Sequence, residues 1–189
     1  MAGCDTRGLL DSIYIYDGQF ATGDAGFDMI RSAAARHCAE NGIEFDYDRS
    51  EITRDEKGKP YFVDMDLEFS LSHTGKMWMC MFSDRPCGLD IQEMRKCDHE
   101  AISQRYYLDD EQQYVSENGL DGFFHIWVRK EAYCKMTGEG MFGNMPSVME
   151  DSGTFDGKDY CFREIEISDS MKCAICSEDA KDYEMRILG

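Results

Sequence analysis

Apolar side chains at Phe27, Ile30, Ala34 and Cys38 recur in steps of three and four, which lays them along one face of a helix. Asn41-Gly42 follows as a stop signal. The stretch from Asp46 to Lys59 is polar and charged, and Gly58-Lys59-Pro60 closes it with a turn. The period then changes to two. Leu67, Phe69 and Leu71 alternate with Glu68, Ser70 and Ser72, so a strand is expected over 67–72, with His73-Thr74-Gly75-Lys76 turning the chain. The six apolar residues Met77 to Phe82 suit a buried strand, and Cys87 to Gln92 a third.

The second half repeats this order: a helix over about Asp121 to Met136, a loop broken by glycines, and strands near Arg163 to Ser168 and Lys172 to Cys176. Arg31, Ala34, Gly42 and Ile43 precede Arg129, Ala132, Gly140 and Met141 by 98 residues, while Ser72 and Lys76 precede Ser168 and Lys172 by 96. Sparse as these matches are, offsets and element order together favour two related α/β halves over one irregular domain. The charged stretch Gln92 to Glu100 is the natural joint, which puts the subdomains at 1–92 and 93–189.

Composition narrows the possibilities. Twenty basic against 38 acidic residues leave a formal charge of −18, so non-specific attraction to nucleic acid or to an anionic membrane is not expected. A small anionic ligand would have to be met by a local cluster of Lys and Arg. Nine cysteines without a framework spacing, and a start at Met1 to Leu10 with no basic segment followed by an apolar one, fit a reducing cytoplasm. No apolar run reaches the length of a membrane span. Cys173 and Cys176 form a lone C-x-x-C with no second pair to complete a zinc site, and read as strand thiols.

Three places carry candidate chemistry. In Gly88-Leu89-Asp90-Ile91-Gln92, strand periodicity sends Asp90 and Gln92 to one face, where two oxygen ligands would suit a hard cation such as Mg²⁺. By itself the pentapeptide reads more simply as an edge strand showing polar groups to water. On the second helix, Glu131 and Lys135 continue the face of Phe124, Trp127 and Val128. They form either a solvated ion pair or, given that aromatic register, a site for a metal and a phosphate. The turn at Ser72-His73-Thr74-Gly75-Lys76 offers hydroxyl, imidazole and backbone N–H groups as a phosphate cradle, against the plainer role of a structural histidine. No P-loop or dinucleotide glycine pattern is present.

Taken in order, Gly58-Lys59-Pro60, Phe69-Ser70-Leu71-Ser72-His73-Thr74, Gly88-Leu89-Asp90-Ile91 and Trp127-Val128-Arg129-Lys130-Glu131-Ala132-Tyr133-Cys134-Lys135 with Gly138-Glu139-Gly140 resemble the 4′-phosphopantetheinyl transferases of the two-lobed, surfactin-synthetase-activating type. The resemblance covers about Phe27 to Met141. It implies an α+β fold of two similar α/β subdomains in a pseudo-twofold arrangement, with coenzyme A and Mg²⁺ in the cleft, acting as a monomer. The reaction it implies is transfer of the phosphopantetheine arm of coenzyme A to a serine of an acyl or peptidyl carrier protein, releasing adenosine 3′,5′-bisphosphate. By the same resemblance Asp90, Gln92 and Glu131 are the metal positions, Lys59, Ser72, His73, Lys130 and Lys135 meet coenzyme A, and Glu131, assisted by Lys135 and His73, takes the serine proton. Trp127 is packing.

The sequence departs from the family pattern twice. Gln92 stands where the family usually has Glu, which removes a charge from the metal site. Gly8 to Ile30 holds no Lys or Arg where the family places bases for the 3′-phosphate, leaving Arg31 and Arg36 as substitutes only if the helix packs differently. These departures favour, as the alternative, a non-catalytic relative that binds a carrier protein or coenzyme A. A metal-dependent phosphohydrolase using Asp90 and Glu131 ranks behind both. Met136, Met141, Phe142 and Met145 are either carrier contacts or core.

Overall fold

In the computed structural model, which describes residues 11–18, 24–141, 143–179 and 182–188, the chain divides into two units: 1–87 together with 181–189, and 88–180. In the first, strand β1 (Asp11–Asp17) precedes helix α1 (Asp24–Asn41). The short strands β2 (Ile52–Arg54) and β3 (Pro60–Phe62) follow, and then β4 (Glu68–Thr74) and β5 (Met77–Ser83). Ile30, Ala34 and Cys38 form the buried face of α1 as their spacing requires, with Tyr14, Trp78 and Phe82 in the same core. Gly42, at φ 68°, supplies the left-handed residue that ends the helix. Met79, Cys80, Met81 and Phe82 are all fully buried, so β5 is covered on both faces and its unbroken apolar run needs no alternation.

The strand β4 continues through His73 and Thr74, which the sequence reading had placed in a turn. Thr74 pairs with Met77, leaving only Gly75-Lys76 between the strands, and Gly75 at φ 55° takes the first position of a two-residue hairpin turn. The sheet order is completed by the chain's last strand, β10 (Tyr183–Ile187), which pairs in parallel with β1. That pairing returns 181–189 to the first unit, so the division differs at both ends from one made after residue 92. The stretch Gln92 to Glu100 falls inside the second unit, from the end of the strand Cys87–Glu93 to the start of the helix His99–Tyr106.

The second unit contains β6 (Cys87–Glu93), which starts one residue before it, then α2 (His99–Tyr106), α3 (Asp109–Thr137), β7 (Ser152–Phe155), β8 (Lys158–Glu164) and β9 (Met171–Ser177). Its sheet runs β6-β9-β8-β7. Asp98 caps α2 by accepting the Ala101 N–H. Helix α3 begins twelve residues earlier than the apolar spacing indicates and kinks at Gly119. It packs on β9 and ends at Thr137, with Gly138 (φ 71°) as its cap. The strand expected at 163–168 lies at 158–164, set by the Asp156-Gly157 turn and by Tyr160 and Phe162 facing the core. Within each unit a strand, a helix and a meander follow one another, and the meander's last strand lies beside the opening strand: β5 beside β1, β9 beside β6. This shared order supports the reading of two related α/β halves.

Candidate active site

Gly88 determines how closely β6 approaches α3. A Cβ built there would lie 1.8 Å from the Ala132 carbonyl oxygen and 2.7 Å from the Met136 nitrogen, so only glycine allows the strand to cross the helix at this distance. Two residues along the same strand face, Asp90 is 2 % exposed. Lys135 reaches it from α3: its Nζ donates to Asp90 Oδ1 at 2.7 Å and to the Leu89 carbonyl at 2.9 Å. Glu131, one turn earlier on α3, is half-buried. Burial first, and then the negative charge of Asp90, push the Glu131 carboxyl above its ordinary pKa, while Lys135 pulls the other way. The strand acid and the helix acid therefore act on one another within this unit.

Gln92 is half-buried on the same strand, and Glu93 is exposed. Among the described residues no group of three or more His, Cys, Asp and Glu converges as a metal cluster. Asp90 and Glu131 carry oxygen donors of the kind Mg²⁺ takes when water and substrate phosphates complete its shell. The unfavourable Asp90–Glu131 interaction is the feature that a divalent cation would relieve. The site also contains a residue that sequence reasoning missed. Cys173 on β9 is buried, and its thiol is pushed up by burial and by the charge of Asp90. Nothing in the local sequence around Cys173 signals this proximity.

Lys130 departs from its expected place. It does not join the Asp90–Lys135 group but lies buried in an ion pair with Glu111 at 2.8 Å, its Nζ also 3.4 Å from Met145 Sδ and above the Tyr107 ring. Successive helix residues point about 100° apart, which is why neighbours 130 and 131 face different surroundings. Arg129 takes a third direction, pairing with Glu164 and Asp151 and donating to the Val148 carbonyl. His125 also bonds Glu164, and this bond, with Arg129, lowers the Glu164 carboxyl to about 2. Trp127 is half-buried against the core. It lines an apolar cavity of about 190 Å³ with Ile102, Tyr106, Tyr107, Lys130 and Met141. Met136 and Met145 belong to the core; Phe142 lies outside the described residues.

The remaining predicted residues lie in the first unit. Lys59 is half-buried and pairs with Glu68 at 3.3 Å. Ser72 is buried and His73 exposed. Because they are neighbours on β4, they face opposite sides of the sheet and do not form one cradle. Arg31 pairs with Asp28, and Arg36 with Glu40 at 3.0 Å, so both substitutes for the missing bases already hold carboxylates.

Residues 86–187, just over half of the chain, match the family model of the 4′-phosphopantetheinyl transferase superfamily, and the chain belongs to that family. It is 29 % identical to 4′-phosphopantetheinyl transferase Sfp of Bacillus subtilis (strain 168) over 60 % of this chain and 50 % of that protein. It is 29 % identical to 4′-phosphopantetheinyl transferase gsp of Aneurinibacillus migulanus over 66 % of this chain and 56 % of that protein. Identity is also 29 % with a 4′-phosphopantetheinyl transferase of Bacillus subtilis, over 79 % of this chain and 70 % of that protein. Against 4′-phosphopantetheinyl transferase HetI of Nostoc sp. it is 31 %, covering 62 % and 52 %. The chain thus spans between about half and 70 % of the length of these relatives. Among the described residues, no helix is long and apolar enough to cross a membrane.

Proposed function

We propose that this protein transfers the 4′-phosphopantetheine arm of coenzyme A to a serine of an acyl or peptidyl carrier protein and releases adenosine 3′,5′-bisphosphate. The observation that carries the proposal is the meeting of Asp90 and Lys135, with Glu131 one turn away, at the glycine-permitted crossing of β6 and α3. Asp90, Glu131 and Gln92 would hold Mg²⁺, which supplies charge neutralisation at the pyrophosphate. Glu131 accepts the proton of the attacking serine, whose hydroxyl is a weak nucleophile at neutral pH. The new bond joins the serine oxygen to the phosphorus bearing the pantetheine arm, and the bond from that phosphorus to the bridging oxygen breaks. Lys135, held against Asp90, orients the carboxylate and offsets negative charge as the leaving group departs. Lys59, Ser72 and His73 keep their coenzyme A roles on the strength of the family resemblance. Lys130 is reassigned to the interior because Glu111 holds its ammonium. The protein is taken to act as a cytoplasmic monomer.

The test is mass spectrometry of a panel of apo carrier proteins incubated with the protein, coenzyme A and Mg²⁺. A gain of one phosphopantetheine on a carrier supports transfer; unchanged masses across the panel refute it. Gln92 favours one second reading, a relative that binds coenzyme A or a carrier without turnover. Calorimetric binding with no mass gain would identify it.

A further inference from the structure

Resting on the transferase reading above, we infer that Glu111 and Lys130 act as one positioning device across the Gly119 kink that fixes the rotation of the later part of α3 against the earlier part, and thereby the aim of Glu131. Glu111 is 0 % exposed, and its carboxylate is fully engaged. It accepts from Lys130 Nζ at 2.8 Å, from the Leu108 N–H at 2.9 Å and from the Val148 N–H at 3.1 Å. These donors come from three places: the α2–α3 junction, the middle of α3 and the segment that follows the helix. Asp110 adds a second tie through the Ser147 hydroxyl.

Arg129, Lys130 and Glu131 point in three directions: Arg129 ends on Glu164 and Asp151, and Lys130 on Glu111, on the other side of the Gly119 kink. Rotating the part of α3 after the Gly119 kink, which carries Glu131, against the part before it would pull Lys130 off Glu111, leaving two charges buried and unpaired. That is among the costliest rearrangements available to a protein interior. Lys130 therefore does not touch coenzyme A. It is a positioning residue, and so is Glu111, 19 residues away in sequence.

The test is a double-mutant cycle of Glu111→Gln, Lys130→Met and the double variant in the full chain. It is read by urea unfolding, by Mn²⁺ binding in the absence of other ligands, and by transfer kinetics with coenzyme A varied. Partners that orient a metal ligand typically change affinity or activity by about 10- to 100-fold, and each single variant should lower kcat and Mn²⁺ affinity within that range while the KM for coenzyme A stays within about twofold. The double variant, which removes both charges, should recover most of both losses. A large rise in the KM for coenzyme A in Lys130→Met with Glu111→Gln silent would overturn the inference, since Lys130 would then meet the phosphates. Losses that simply add in the double variant, or singles that match wild type, would overturn it as well. Should a single variant fail to fold, Glu111→Asp takes its place: lowered Mn²⁺ affinity at an unchanged unfolding midpoint supports the device, and wild-type affinity overturns it. If the wild-type chain modifies no carrier, the transferase reading fails, and the Mn²⁺ and unfolding arms still decide the positioning role.

Discussion

Gly88→Ala is the smallest change that tests the assembly of the site. The added Cβ would sit 1.8 Å from the Ala132 carbonyl oxygen, and a tolerable carbon–oxygen contact is about 3.3 Å, so β6 and α3 must part by about 1.5 Å. All three nearest atoms belong to the helix backbone, and no flexible side chain can swing away to make room. Overpacking of this kind costs about 1–3 kcal/mol, and the upper end applies here. The same displacement carries the Lys135 hydrogen bonds, now 2.7 and 2.9 Å, past bonding distance. A misplacement of about 1 Å can lower a rate about 10²-fold, so transfer should fall at least that far. Urea unfolding reads the first quantity and mass-resolved carrier modification the second. Gly140→Ala is the control, because a Cβ there meets nothing within 4 Å. A Gly88→Ala protein with the unfolding midpoint and transfer rate of wild type would refute the claim that this crossing builds the site.

Three further outcomes follow from the same coordinates. Glu131→Ala should lose the general-base contribution, about 10²- to 10⁴-fold in transfer rate, at a little-changed unfolding midpoint; an undiminished rate would remove Glu131 from its role. Gln92→Glu adds a third carboxylate beside Asp90 and Glu131 and should lower the Mg²⁺ concentration needed for half-maximal rate, as a Mg²⁺ titration of both proteins would read. His37, 1 % exposed and stacked on Phe82, is lowered by burial from 6.5 to about 4 and so folds neutral. Because the unfolded chain takes up that proton first, its contribution is complete above about pH 6.5 and is lost as pH falls toward 4, by about 3 kcal/mol in all. Glu164, lowered to about 2, adds its own loss only below about pH 4.5. Unfolding midpoints at pH 7.0, 5.5 and 4.5 should therefore already fall between the first two values, and His37→Phe should flatten that first step.

The parts of the fold that were readable from the chain are those whose cause is local. The spacing of Ile30, Ala34 and Cys38 and the Gly42 stop define α1, and the apolar run from Met77 announces a strand buried on both faces. Strand periodicity put Asp90 and Gln92 on one face correctly. What was not readable depends on distant partners. The parallel pairing of β10 with β1 joins residues more than 160 positions apart, and no local pattern encodes it. Helix α2 is short and polar, and only its Asp98 cap marks it. The Asp156-Gly157 pair is a hairpin signal of its own, which residue alternation does not carry.

The candidate site shows the same limit in sharper form. Residue types and spacing identified Glu131 and Lys135 as one helical face, and the structure brings Lys135 to Asp90 across 45 residues. The family resemblance, not the spacing, places Lys130 with them, and adjacent residues of a helix point about 100° apart and do not share a face. Its partner Glu111 was invisible as a partner because it sits beyond the Gly119 kink, in a part of α3 that the apolar pattern did not reach. A positive charge beside a catalytic acid thus divides into two kinds. Lys135, a full turn away and 28 % exposed, pairs with Asp90 where solvent still reaches it; Lys130, one residue away and 3 % exposed, is sealed in the interior with Glu111. In an acidic chain with 20 basic residues, that commitment leaves the proposed binding of coenzyme A to rest on fewer cations than the motif alone implies.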